Sequence, residues 1–451
     1  MKAALGATFI VVMTACAVCR GADFTISDRS IGDPIAGFGA CMNPYLYAYP
    51  NMPREISAEQ MKDLEAKVKE LHPQFVRIFF LNSWWEKDTD ASIAEGHTGM
   101  RESFIKTVQL AQDAGASVLI QLWYDPDHYQ DMDGVTKRFA TAIKALRDKH
   151  GLTCIRYATI QNEPDENSDD VKIARYPKVY HAFDRALREA GIRDQIKIIG
   201  GDLVGEKWKH WLEMMAREMS DVCDGYSIHS YWDYWRIGTF RQHIAEVKAT
   251  LDAMPEKQRR PIYVTEFGAR GFRAKPGEEP GKSDKGTPLC DEPVYSFEIA
   301  IFMIDCLNAG FVGTAQWDLY DAWYDRKMGY GVIGPVETKF ALKPGYGLLK
   351  MFTHACEPGW HAMKIDGEVE DVWVAALKGK GDEMSTFVLN RVHAEKKVTI
   401  GGLVPGKAYN ASMWNGDRKG RLKELDPVKA DGSGVVTVSL PEMAVEVLTT
   451  K

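Results

Sequence analysis

The chain has 451 residues, of which 45% are hydrophobic and 26% charged, with a formal net charge of −7 and a pI near 5.9. That length exceeds what one hydrophobic core usually organises, so a large domain accompanied by a smaller one is expected. The acidic balance excludes the basic face of a nucleic-acid binder, and the apolar content is that of a globular protein.

Residues 1 to 22 read as an export signal: Lys2 is followed by an apolar run from Ala3 through Val18, too short and wrongly flanked for a membrane span. Ala15-Cys16-Ala17 offers a small-residue cleavage site, and Met13-Thr14-Ala15-Cys16 offers the alternative of a lipid anchor at Cys16. Either address predicts a secreted or periplasmic protein. The six later cysteines, at 41, 154, 223, 290, 306 and 356, lie far apart, which excludes a zinc ribbon or a C-x-x-C redox motif. Cys154, Cys223 and Cys306 fall in apolar elements and read as buried thiols, whereas Cys41, Cys290 and Cys356 lie in or near loops and leave room for one disulfide.

Phe24 to Ser27 alternates like a short strand. Apolar runs then recur at Ile35 to Ala40, Phe75 to Phe80, Ser117 to Trp123, Ile155 to Gln161, Ile196 to Gly200, Gly225 to His229, Ile262 to Glu266 and Val312 to Trp317. Between them, three- and four-residue apolar spacing predicts helices at Ile56 to Leu71, Phe104 to Ala114, Val135 to Leu146, Val179 to Ala190, Trp208 to Met219, Ile244 to Met254 and Tyr295 to Asn308. Eight strands alternating with helices over residues 23 to 342 predict a closed (β/α)8 TIM barrel, and no G-x-G-x-x-G supports the open dinucleotide-binding alternative. From about Lys343 the rhythm changes to short strands with turn signals: Val372 to Leu377, Ser385 to Asn390, Lys397 to Ile400, Tyr409 to Trp414 and Val435 to Leu440. Residues 343 to 451 are therefore expected to form a smaller all-β sandwich, with residues 23 to 30 a candidate additional strand. Ala269 to Glu292 has no periodicity and leaves the seventh barrel strand, which makes it a candidate lid.

In a parallel barrel every strand's carboxyl end faces one mouth. The fourth strand closes on Asn162-Glu163-Pro164 and the seventh on Glu266-Phe267-Gly268, so two glutamates converge there. Either one alone reads more readily as a helix N-terminal or solvated acid. Arg77, inside the apolar run FVRIFF, alters that balance, because a buried guanidinium implies a buried acid. Two carboxylates facing each other are what glycosidic bond hydrolysis needs, one to protonate the leaving oxygen and one opposite it. The donor must be neutral; raising a glutamate from about 4.3 to about 6 corresponds to roughly 2.3 kcal/mol, which burial beside a second carboxylate can supply. With Arg77 beside Glu266, the expectation is that Glu163 titrates high.

The set Arg77, Asn162-Glu163-Pro164, His229, Tyr231, Glu266-Phe267-Gly268 and Trp317 resembles the pattern of clan A retaining glycoside hydrolases, over most of residues 31 to 330. Glu266-Phe267-Gly268 and His229-Ser230-Tyr231 are similar to family 5; the strand before the barrel, Lys343 to Lys350 and the C-terminal β domain are more like families 30, 39 or 51. The resemblance implies a retaining glycosidase working by double displacement, with Glu163 as acid/base and Glu266 as nucleophile, on mostly β-linked oligo- or polysaccharide. It also implies that Asn162 bonds the sugar 2-hydroxyl, that Arg77 and Tyr231 hold Glu266 and that Trp317 floors the subsite. His229 reads as a hydrogen-bonding residue near the nucleophile.

Sugar faces stack on aromatic rings, and Trp84, Trp85, Trp123, Trp232, Trp235 and Trp323 lie at or just beyond strand ends; Trp123 and Trp85 are the added candidates. Asp125, Asp202 and Asp318 could accept from sugar hydroxyls, with helix capping as the plainer role for Asp202. His128 and His229 lack metal-ligand spacing, and neither metal nor cofactor is required. A barrel that binds carbohydrate without cleaving it would predict loss of a glutamate or of Arg77. A metal-dependent hydrolase or Schiff-base aldolase needs H-x-H on the first strand or a lysine at a strand end, and neither is present.

Overall fold

The computed structural model describes residues 22–48, 56–86, 99–123, 129–166, 170–233, 237–270, 289–321 and 329–451. The predicted export signal with Cys16, most of the candidate lid, and Asp125, His128, Trp235 and Trp323 lie outside the described residues. Among the described residues no helix is long and apolar enough to cross a membrane.

After strand β1 (Phe24–Ile31) come β2 (Gly37–Ala40), helix α1 (Ala58–Leu71), β3 (Phe75–Phe80), α2 (Asn82–Glu86), α3 (Met100–Asp113), β4 (Ser117–Leu122), α4 (Met132–His150) and β5 (Ile155–Ile160). Then follow α5 (Asp170–Glu189), β6 (Lys197–Leu203), α6 (Trp208–Glu218), β7 (Gly225–Asp233), α7 (Ile237–Asp252), β8 (Ile262–Arg270), α8 (Pro293–Asn308) and β9 (Gly313–Gln316). Eight strands form one parallel sheet in the order β2-β9-β8-β7-β6-β5-β4-β3. Its two ends meet: Cys41 bridges Arg77, and the Met42 amide donates to the Arg77 carbonyl at 2.9 Å. Gly39 permits this closure, since a Cβ there would stand 2.0 Å from the Phe75 carbonyl oxygen. The chain is thus the predicted (β/α)8 barrel.

Both faces of these strands are buried, which is why they read as apolar runs rather than alternations. Val76, Ile78, Val118 and Ile120 meet helix residues such as Val68, Val108, Phe139 and Ile143. The opposite parity points inward, where Phe75, Tyr157 and Tyr263 meet at centroid distances of 5.4 to 5.7 Å. Arg77 lies between Phe75 and Phe79 on that inward face. The aromatic trio therefore floors a polar layer just below the mouth.

Helix ends follow local chemistry. Ser57 and Gln60 form a capping box on α1, and Asp131 caps α4, which ends on left-handed Gly151. Helix α5 begins well before the predicted Val179 and carries Pro177 inside it. Strands β7 and β8 pair as far as Asp233 and Arg270, so Glu266 lies within its strand rather than closing it.

The rest of the chain adds α9 (Pro344–Ala355), β10 (His361–Asp366), β11 (Val372–Lys378), β12 (Met384–Asn390), β13 (Lys396–Gly401), β14 (Ala408–Trp414), β15 (Lys423–Lys429), β16 (Val436–Leu440) and β17 (Ala444–Thr449). With β1 these strands form a mostly antiparallel sheet, β15-β14-β17-β12-β11-β10-β1-β13-β16. Phe24, Val374, Val388, Ile400, Tyr409 and Val438, spread along the sheet, share one core, so the sheet wraps around it. Helix α9 follows the last barrel strand and is held to the barrel by Gln74, whose amide donates to the carbonyls of Thr353 at 2.7 Å and Cys356 at 2.6 Å; the β sheet is tied to α8 by Arg391 paired with Glu298 and by Asn308 Nδ2, which donates to Val374 O at 2.9 Å. Cysteines 41, 154, 223, 290, 306 and 356 are free and buried in separate environments, so no disulfide forms among them.

Candidate active site

The hydrogen bonds of β5 continue two residues past Ile160: the Gln161 amide donates to Leu122 O at 2.8 Å and the Asn162 amide to Trp123 O at 3.2 Å. Gln161 and Glu163 then take positive φ, +68° and +47°, which costs residues bearing a Cβ roughly 1–2 kcal/mol each. Hydrogen bonds hold the turn, from Tyr129 to Gln161 and from the Val204 and Gly205 amides to buried Asp165 at 3.0 and 2.7 Å. Burial pushes the Asp165 carboxyl up despite those amides.

Glu266 points inward from β8. Arg77 Nη1 lies 2.7 Å from its Oε2, and the Tyr231 hydroxyl donates to its Oε1. Burial and the Glu266 charge push the Tyr231 phenol well up, which keeps it a donor. The second Arg77 nitrogen, Nη2, donates to Asn162 Oδ1 at 2.6 Å and pairs with Asp202 Oδ2 at 3.0 Å. Burial alone would lower Arg77, but Asp202 and Glu266 reverse this and hold it firmly cationic.

Ligand-type atoms of Glu163, His229 and Glu266 all lie within 4.8 Å of one another, so the two carboxylates face each other at close range. Glu163 is the more open, its side chain 21% exposed against 10% for Glu266. His229 Nδ1 lies 2.9 Å from Glu163 Oε1. Burial alone would lower His229, but Glu266, Asp202 and the bond to Glu163 push it up to about 9. The structure therefore differs from the expectation of a high-titrating Glu163. Burial pushes that carboxyl up, but His229, through its hydrogen bond and charge, and Arg77 outweigh this and hold it below its usual value. Both directions favour the proton on the imidazole side of that hydrogen bond. These donor atoms are already engaged by Arg77, Tyr231 and one another, an arrangement of hydrogen-bonded partners rather than of a cation cage.

Asp202 is fully buried on β6, with φ +59°. Gly201, φ +125°, lets β6 pass so near β7 that a Cβ would stand 2.3 Å from Ser227 O. The Asp202 carboxylate accepts from Ser227 Oγ at 2.8 Å, Gln121 Nε2 at 2.9 Å and Thr265, in addition to Arg77. It neither caps a helix nor reaches a sugar, the two roles read for it from sequence. Cys41 is a second such neighbour: its Sγ donates to Thr265 O at 3.4 Å, 4.0 Å from Arg77 Nη1, and burial keeps it a thiol. A strand-end aspartate after Gly200-Gly201 was the available signal for Asp202; nothing in the sequence marked Cys41.

Of the aromatic candidates, Trp317 and Trp123 join the barrel-mouth cluster. Phe79 stands between them, 5.8 Å from Trp317 and 5.0 Å from Trp123, beneath the Arg77 guanidinium at 4.6 Å. The Trp317–Asp318 peptide is cis. Asp318 is buried, which pushes its carboxyl well up. Trp85 is not brought to this cluster: it packs on the outer core, its ring 5.1 Å from Arg101 of α3. Trp84 meets Tyr45, Phe80 and Phe104, and Trp232 is buried against Phe302 with its Nε1 3.3 Å from Glu298. These three tryptophans hold elements together.

A family model described as Cellulase (glycosyl hydrolase family 5) matches residues 37–292, over half of the chain. The chain belongs to glycosyl hydrolase family 5. It is a glycoside hydrolase of clan A, with a carbohydrate as substrate. The fold of this family 5 protein is similar to that of a GH30 endoxylanase from Clostridium papyrosolvens C71, at 13% identity and TM-score 0.66 over 95% of this chain and 99% of that one. It is likewise similar to GH30 xylanase C from Talaromyces cellulolyticus, at 13% identity and TM-score 0.68 over 95% and 100%. A family 51 α-L-arabinofuranosidase from Bifidobacterium longum follows at 15% identity and TM-score 0.66 over 95% and 99%. The comparison with curated proteins gave no match.

Proposed function

We propose that this family 5 protein is a retaining glycosidase in which Glu266 is the nucleophile and Glu163 the acid/base. The observation that carries the reading is the facing of Glu163 and Glu266 with ligand atoms within 4.8 Å, the close approach that goes with direct attack rather than the wider gap that seats a water. Their surroundings divide the roles. Glu266 is gripped by Arg77 and Tyr231, which fix it for in-line attack and stabilise it as leaving group in the second step. Glu163 is more open and shares a proton with His229, as a group that both gives and takes protons requires.

In the first step Glu266 bonds to the anomeric carbon while the Glu163 side delivers a proton to the departing oxygen. In the second, water attacks that carbon, its proton returns to the Glu163 side, and the ester to Glu266 breaks. Asn162, held by Arg77, would present its Nδ2 to the sugar 2-hydroxyl, with Trp317 and Trp123 offering faces to the ring. The substrate is an oligo- or polysaccharide, with β-linkage proposed on the resemblance of the motifs. Export is read from Lys2 and the apolar run behind it, with cleavage within residues 1 to 22, where Ala15-Cys16-Ala17 offers a site, or a lipid on Cys16 as its two forms.

Glu266→Ala should abolish hydrolysis of an activated aryl glycoside, and azide should restore turnover as the glycosyl azide of inverted anomer. Unchanged activity, or the inverted anomer as first product of the native enzyme by proton NMR, overturns the assignment.

A further inference from the structure

We propose that Asp202 is a positioning residue that holds His229 as the imidazolium, so that the leaving-group proton is stored on the Glu163–His229 pair before substrate arrives. This rests on the retaining-glycosidase reading above. Asp202 touches no candidate position for substrate: it is fully buried beneath the mouth, with Oδ1 3.6 Å from His229 Nε2 and Oδ2 3.0 Å from Arg77. His229 Nε2 is itself buried and makes no hydrogen bond, so the charge of Asp202 is what faces that edge of the ring. The groups facing His229 are Glu163 from the turn after β5, Asp165 from the same turn, Asp202 from β6 and Glu266 from β8, and the cation paired with the last two is Arg77 from β3. Four carboxylates against one guanidinium leave room for one more positive charge, and the ring supplies it. Burial raises the Asp202 carboxyl, but Arg77 and His229 together hold it far below the usual range, so it stays charged.

The proton count follows. Before reaction the site holds His229 as a cation and Glu163 and Glu266 as anions, with one proton between Nδ1 and Oε1. As Glu266 forms its bond to the anomeric carbon, that proton moves to the Glu163 carboxyl and on to the departing oxygen. His229 is left neutral, Glu163 anionic and Glu266 an uncharged ester, so charge is conserved. Water then returns one proton to the pair as the ester breaks.

The test uses the full chain with labelled histidine, the His229 signal being identified by its loss in His229→Asn. In the native protein both ring nitrogens should be protonated at pH 7, and the ring should titrate about 9. In Asp202→Asn the titration should fall by one pH unit or more, and the basic limb of kcat/KM on an aryl glycoside should fall with it. Ser227→Ala removes a donor but keeps the charge, and should leave the titration in place. A neutral His229 at pH 7 in the native protein, an unmoved titration in Asp202→Asn or a large drop in Ser227→Ala overturns the proposal. The native spectrum and Ser227→Ala decide if Asp202→Asn does not fold. Absence of aryl-glycoside turnover counts against the hydrolytic assignment of the residues, while the ring titration still decides what Asp202 does.

Discussion

Arg77 Nη1 stands 2.7 Å from Glu266 Oε2 while Nη2 of the same group reaches Asn162 Oδ1 at 2.6 Å and Asp202 Oδ2 at 3.0 Å. One guanidinium, with no exposed side-chain surface, thereby links β3 to β6, to β8 and to the turn after β5. Its planar fork is what makes this possible, since the two terminal nitrogens point to different partners at fixed angles.

Arg77→Met should consequently cost about 3–5 kcal/mol of stability, because Asp202 and Glu266 lose their shared cation in a buried site. Arg77→Lys keeps a charge but cannot span the three partners; kcat should fall on the order of 10²-fold with a smaller loss of stability. Urea unfolding and steady-state kinetics separate the two. Equal stability of Arg77→Met and the native protein would show that the pairing is not structural.

Much of this site was legible because a parallel barrel converts strand ends into neighbours: Arg77, Asn162, Glu163, His229, Tyr231, Glu266 and Trp317 each sit on or beside a buried strand with a polar or aromatic residue where apolar ones dominate. What escaped has physical reasons. Asp202 serves its neighbours' charge rather than the solvent, which no single-strand pattern reveals. Glu163 was expected to titrate high because the sequence pattern set His229 beside the nucleophile, whereas its 2.9 Å bond goes to Glu163 and reverses the shift. Helix α5 runs through Pro177, where propensity places a boundary. Strand β15, KELDPVK, lacks alternation because it is an edge strand with mostly exposed side chains. Trp85 sits at the right sequence distance from a strand end but turns outward on α2.

The two half-buried tryptophans Trp123 and Trp85 should therefore behave differently. Trp123→Ala removes a face at the barrel mouth and should raise KM by roughly 5- to 30-fold, on the order of 1–2 kcal/mol of binding, with the fold retained. Trp85→Ala should leave KM unchanged and lower stability by about 2 kcal/mol, from lost packing on the outer core. Kinetics on an oligosaccharide together with thermal melts of both variants check this; a KM effect confined to Trp85→Ala reverses the placement.

Glu446 lies between Val445 and Val447 on β17, 4% exposed, and burial pushes its carboxyl up to about 7. A carboxyl raised on folding binds more protons in the native than in the unfolded chain between about 4.5 and 7, so stability falls as pH rises through that window and is level above it. Glu446→Gln removes the charge that must be buried at high pH. It should be near neutral at pH 4 and stabilise by about 1–3 kcal/mol at pH 8. Denaturant titrations at both values test it, and a stabilisation of the same size at pH 4 would show that packing rather than charge is responsible.

Glu163→Ala should separate proton delivery from attack. With a leaving group acidic enough to depart as an anion, the first step needs no proton, and the variant should retain a rate constant for that step close to native. With a poor leaving group the same step should slow by about 10²- to 10⁴-fold, the range for losing a positioned general acid. His229 cannot take over, because its Nδ1 points at the position Glu163 occupies and its other nitrogen faces Asp202. The second step also slows, as water loses its base, so kcat on the activated substrate becomes limited by breakdown of the ester to Glu266, and a burst of released phenol should precede steady turnover. A series of aryl glycosides of graded leaving-group pKa gives the slope directly: steep for Glu163→Ala and shallow for the native enzyme supports the assignment, and equal slopes refute it.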